Sequence, residues 1–199
     1  MANPQLCLGS LPMPGRYGAI LPGGPNLQIS ERPSGDLLQI SGWDGFENDV
    51  APLLSRIGIA EMPGYGDAVE GLGGVTLYRL APDRIWLRGA GTVAMNDVAA
   101  EVAGHSDLVS LDLSQARAVI AIAGKGSEDL FARLIMVDCD AAVFAPGQFR
   151  QTVLHEVSVL VHRRGLEQFE ILLPSSWGAA VWTYIMDAGK PLGYEVTTG

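Results

Sequence analysis

Charge is scarce in this chain. Only 18% of its 199 residues are Asp, Glu, Lys or Arg, against about a quarter in an average globular domain. So small a charged fraction leaves little to solvate a free surface, and a partner covering part of it is expected. Cations are scarcer still: 13 stand against 22 acids, for a net charge of −9. Phosphate-rich surfaces need a cationic face, so nucleic acid and membranes are not expected as partners. No apolar run approaches the roughly 20 residues of a membrane span. The first residues lack the basic start and apolar core of a secretory signal, so a cytoplasmic location is expected. Cysteine is nearly absent. Cys7 and Cys139 form no C-x-x-C pair and no ligand set with the three histidines, so two reduced thiols and no metal site are expected.

Apolar residues are plentiful at 48%, enough to build a core and to exclude a disordered chain. The prolines are unevenly spread. Pro4, Pro12, Pro14, Pro22, Pro25 and Pro33 put half of the chain's 12 into residues 1–35. Proline donates no hydrogen bond and glycine favours no one conformation, so this stretch is expected to be an extended arm without helix or central strand. Its Leu6, Leu8, Leu11, Tyr17, Ile20 and Leu21 call for a surface to lie against.

From residue 36 the pattern becomes regular. Residues 37–42, 75–89, 108–114, 116–124, 152–164 and 168–174 read as strands, the second range being two strands around a Pro-Asp turn. Residues 46–58 place Phe46, Val50, Leu53, Leu54 and Ile57 on one helical face, with Pro52 shifting or kinking the helix. Residues 96–105, 127–136 and 175–189 read as further helices, the last two capped by Ser127 and by Ser175 or Ser176. The order repeats: Ile40-Ser41-Gly42 returns as Ile122-Ala123-Gly124, and Val75 and Leu77 return as Val157 and Val159. The expected fold is α+β, with two similar split β-α-β halves at residues 36–112 and 113–199, mixed or antiparallel sheets, and one compact unit behind the arm.

Catalytic motifs are largely missing. GKGSED (124–129) lacks the phosphate-loop spacing, and RGAGTVAMND (88–97) lacks the third glycine of a dinucleotide loop. Ser110, Ser114 and Ser158 have no nucleophile-elbow context. His155 is read within a strand, with Glu156 on the opposite face. HRRGLEQFE (162–170) is more informative. It fits a hairpin with solvent-facing arginines, an ion-pair site for a partner, or an anion or cofactor site. Alternation sets Phe169, Ile171 and Leu173 on one face and Glu170 with Leu172 on the other. A carboxylate beside Leu172 invites a partner or a role.

Residues 108–135 hold an apolar strand, Asp-x-Ser, a second strand ending in Gly and a helix. Residues 163–189 hold a Gly turn, Phe-Glu-Ile, Pro and a helix with Val-Trp. This order resembles the folate-binding domain of the glycine-cleavage T-protein and its aminomethyltransferase relatives. With the Pro/Gly arm, FAPGQFRQTVL (144–154) and the His-Arg-Arg turn, it is most similar to the gamma subunits of heterotetrameric sarcosine oxidases. The resemblance implies a pterin contact at Glu170 and a second at Arg163, where the relatives have Tyr. The stretch that carries their catalytic Asp is not recognisable. It further implies a non-catalytic, assembly role in a complex with alpha, beta and delta subunits. That complex turns sarcosine, O2 and tetrahydrofolate into glycine, H2O2 and methylene-tetrahydrofolate. This chain alone would bind no cofactor; FAD, FMN, NAD, zinc and tetrahydrofolate would belong to the other subunits. Tyr17, His162, Arg163 and Arg164 are the candidate partner contacts. The alternative is a stand-alone folate-binding or aminomethyltransferase-like protein.

Overall fold

The computed structural model describes residues 6–89 and 95–198. The chain forms two compact units, one of residues 34–115 and one that joins residues 1–33 to residues 116–199. Both are α+β, and they repeat the same element order.

In the 34–115 unit, β3 (Asp36–Gly42) leads into α1 (Phe46–Arg56). Then come β4 (Ala68–Glu70), β5 (Thr76–Ala81), β6 (Arg84–Gly89), α2 (Met95–Ala103) and β7 (Leu108–Asp112). The sheet order is β4-β5-β6-β3-β7, and every pairing is antiparallel. Leu38, Ile40, Leu77, Ile85 and Leu87 alternate onto one face, where Val50, Leu53 and Leu54 of α1 and Val98 and Val102 of α2 complete the core. Pro52 stands inside α1 and removes one helical hydrogen bond. Gly42 allows the tight entry to α1: a Cβ there would sit 2.7 Å from the Phe46 ring. Asp112 of the Asp-x-Ser motif accepts from the backbone N–H and the hydroxyl of Ser114, at 2.9 and 2.6 Å. Ser114 in turn accepts from the Leu37 amide, and the Ser34 hydroxyl donates to the Ser114 carbonyl at 2.7 Å. The two ends of this unit are thereby tied together.

In the other unit, β1 (Gly15–Tyr17) and β2 (Leu27–Arg32) come before the 34–115 segment. After it follow β8 (Arg117–Ala123), α3 (Ser127–Leu134), β9 (Phe149–Leu154), β10 (Val157–Gly165), β11 (Gln168–Pro174), α4 (Gly178–Gly189) and β12 (Tyr194–Val196). The sheet order is β1-β12-β2-β8-β11-β10-β9. Only β12 and β2 are parallel. Ile29, Ile120, Ile122, Val159, Val161, Phe169 and Ile171 meet Leu130 and Phe131 of α3 and Val181, Trp182 and Ile185 of α4 in the core.

Several expectations need correction. The arm does contain an inner strand. β2 lies between β12 and β8, because residues 27–32 hold no proline or glycine and alternate between buried Leu27 and Ile29 and exposed Gln28. Residues 152–164 are not one strand. His155 and Glu156 have φ of 44° and 69° and form a two-residue hairpin turn, Leu154 pairing with Val157. Ser127 does not cap α3, for Gly126 precedes the helix and the Ser127 side chain is buried. α4 is entered through a 3-10 turn at Ser175–Trp177, without a serine cap.

Around Cys7 and Leu8 the arm is fastened to the rest of its unit. The carboxylate of Glu31, 2% exposed, accepts from the backbone amides of Cys7 and Leu8 at 2.5 and 2.9 Å. Leu8 enters the core beside Gly178, where a Cβ would come within 2.9 Å of it.

Candidate functional site

The residues singled out by sequence meet on the β10–β11 hairpin. Its register pairs Leu160 with Leu172, Val161 with Ile171, His162 with Glu170 and Arg163 with Phe169, and then shifts at Gly165. Successive strand residues face opposite ways. Arg163 therefore shares the core face with Phe169, Val161 and Ile171, while Glu170 shares the other face with His162, Leu160 and Leu172. Glu170 is half-buried and His162 is buried. Arg164 is exposed on the strand next to the turn.

Arg163 is buried to 0% exposure and makes a network inside the chain. Its Nη1 donates to the carbonyls of Cys139 and Phe144 at 2.6 and 3.1 Å. Its Nη2 donates to Glu128 Oε1 at 2.5 Å and to the Leu166 carbonyl. Its Nε donates to the Gly165 carbonyl at 3.3 Å. The guanidinium lies 4.9 Å from the Phe169 ring centre. The planar fork suits this task, since it can answer several carbonyls at fixed angles. The Arg163 backbone also joins in: its N–H donates to the Gln148 carbonyl and its carbonyl accepts from Gly147. The hairpin turn and the 135–148 loop are thus braced from within. Burial also pushes the neighbouring Cys139 thiol up to about 11, against the opposing pull of Arg163.

The hairpin expectation is met, but its arginines divide. Arg164 is exposed as a strand-end arginine should be, and Arg163 is not. Arg163 and Glu170 lie on opposite faces, so one ligand cannot take both side chains from one side of the sheet. The neighbour of Glu170 is His162, across the strand pair. Counting alternation back from Glu170 through the turn would have placed His162 there, had the shift at Gly165 been readable. Tyr17 stands apart on β1, paired with Tyr194, its ring stacked on that of Tyr194 at 5.4 Å and its hydroxyl donating to the Met13 carbonyl at 3.0 Å. It stays partly exposed on the outermost strand of its sheet. Among the described residues, no group of three or more His, Cys, Asp or Glu is placed to hold a metal ion. No described helix is long and apolar enough to cross a membrane.

The model of the GCVT N-terminal domain family matches residues 71–198. No curated protein sequence matches the chain. Among solved structures, the chain is similar to one from the heterotetrameric sarcosine oxidase of Corynebacterium sp. U-96. The TM-score is 0.77 and the identity 21%, over 88% of each chain. It is also similar to the glycine cleavage system aminomethyltransferase T of Bartonella henselae, at a TM-score of 0.61 and 18% identity over 86% of this chain. It spans 48% of that aminomethyltransferase, about half its length.

Proposed function

Because the chain belongs to the GCVT N-terminal domain family, we propose that it is a non-catalytic, gamma-type subunit of a heterotetrameric flavin-dependent sarcosine oxidase. Its role is assembly. Its partners are the alpha, beta and delta subunits, and these hold FAD, FMN, NAD, zinc and tetrahydrofolate. The complex takes sarcosine, O2 and tetrahydrofolate to glycine, H2O2 and methylene-tetrahydrofolate. The observation that carries this reading is the agreement of fold, a TM-score of 0.77 with the sarcosine oxidase chain against 0.61 with the aminomethyltransferase. The internal use of Arg163 and the separation of its side chain from Glu170 support an assembly role over a catalytic one. Tagged purification from native cells, with subunit masses and a visible spectrum, tests it. Co-purifying large chains with flavin absorbance are expected, and a colourless chain alone overturns the reading.

The half-buried Glu170 beside buried His162 favours the second reading, a stand-alone folate-binding or aminomethyltransferase-like protein. That reading requires saturable binding of tetrahydrofolate by the isolated chain, abolished by Glu170→Gln. Under the subunit reading, the same change leaves turnover of the complex nearly intact.

A further inference from the structure

The two units share a strand plan, yet one sheet continues where the other stops. Ile40-Ser41-Gly42 and Ile122-Ala123-Gly124 put β3 and β8 in equivalent places. β7 flanks β3 antiparallel as β2 flanks β8. Ser110 opposes Ile40 while Ile29 opposes Ile122, so Leu108 corresponds to Leu27 and Asp112 to Glu31. Beyond β2 the sheet adds a parallel strand, Tyr194–Val196 alongside Leu27–Ile29. Among the described residues, no strand pairs with the outer edge of β7.

That edge is undefended. Open strand edges are usually blunted by shortness, proline, cations or a bulge. β1 and β4 have three residues each, and β9 carries Arg150. β7 has five residues, LVSLD, with no cation or proline and a continuous register against β3. Its Val109 and Leu111 point to one face and are 51% and 55% exposed. Exposed Asp107 and Asp112 stand on either side of this apolar pair. Hydrogen bonds from Ser114 hold the Asp112 carboxyl below its ordinary value, so it is charged at neutral pH.

We infer that β7 is a strand-acceptor edge. It takes an extended apolar segment of another protein, flanked by Lys or Arg, which runs parallel to β7 beside Leu108–Ser110. Charge decides between this occupant and a second copy. A symmetric β7 pair centred on Ser110 would bring Asp112 of one copy near Asp107 of the other at both ends, between chains of net charge −9. A cation-flanked segment meets the same two acids favourably. Main-chain hydrogen bonds would hold the segment, and its alternate apolar residues would cover Val109 and Leu111. The inference stands independently of the oxidase reading.

The test is an NMR titration of the full labelled chain with the synthetic peptide Lys-Val-Thr-Val-Thr-Val-Lys. Saturable shifts confined to Leu108–Asp112 and its neighbours on β3 are expected. V109K/L111K should weaken binding about ten-fold or more. Both side chains are half exposed, so this variant should fold. Should it fail to fold, the Glu-flanked peptide Glu-Val-Thr-Val-Thr-Val-Glu on the unaltered chain serves instead and is expected not to bind. A spin label on the Lys-flanked peptide's N-terminus should broaden Leu108 more than Asp112. Absence of saturable shifts at β7, equal binding of the two peptides, or stronger broadening at Asp112 overturns the inference. Protection of β7 amides that rises with protein concentration alone also overturns it, in favour of self-pairing.

Discussion

The guanidinium of Arg163 answers carbonyls at Cys139, Phe144, Gly165 and Leu166 and the carboxylate of Glu128. Arg163→Met would leave those acceptors unanswered and Glu128 without its cation. A loss of about 3–5 kcal/mol in urea unfolding is expected. Arg163→Lys should recover only part of it, because one ammonium cannot span acceptors set for a fork. Full recovery by Lys would show that charge alone matters there. The adjacent Cys139 makes a pH prediction. Its thiol is raised from 9.0 to about 11, first by burial. The folded chain therefore keeps a proton that the unfolded chain gives up. The stability this contributes is whole below pH 9 and is lost as pH rises through about 11. Cys139→Ala should flatten the stability curve across that window, and an unchanged slope in the variant would refute the assignment.

At the scale of elements, the turn between β9 and β10 is the most improvable part of the fold. Both of its residues, His155 and Glu156, sit at positive φ, where a side chain costs energy that glycine does not. Glu156→Gly should stabilise by roughly 0.5–1 kcal/mol, relieved strain outweighing the freer unfolded chain. His155 is best kept, since its ring stacks on Tyr184 at 4.6 Å. Thermal unfolding of the single variant decides the sign. The same turn shows what sequence could not reveal. Asn-Gly announces such a hairpin, and His-Glu announces nothing, so two strands read as one. β2 was hidden likewise, between Pro25 and Pro33. By contrast, β8, α3 and β11 were legible, because their strand and helical patterns were uninterrupted, with Gly124 just after β8 and Pro174 at the end of β11. On the hairpin, alternation sorted Phe169 from Glu170 correctly. It did not reach Arg163, because the register shift at Gly165 leaves no trace in the letters.

Over the whole molecule, the chain leaves one unit at Pro33, builds the other, and returns at Ala116. The 34–115 unit contains all five strands of its sheet and ties its ends through Ser34, Leu37 and Ser114. A fragment of residues 34–115 should fold alone, with dispersed amide resonances. A fragment of residues 116–199 lacks β2, the strand between β8 and β12. It should stay unfolded until residues 1–33 are supplied as a separate peptide. Cooperative folding of the later fragment alone would contradict the role given to β2. The placing of β2 also matters while the chain is being made. Its neighbours β8 and β12 emerge from the ribosome only after the whole inserted unit. Throughout that interval Leu27 and Ile29 lack the strands that flank them in the folded sheet. The nascent protein thus carries a sticky, unmatched strand while the inserted unit is being made. Such a waiting segment is open to misassembly, so the yield of native protein should depend on chaperones or on slow, cool expression more than its folded stability would suggest.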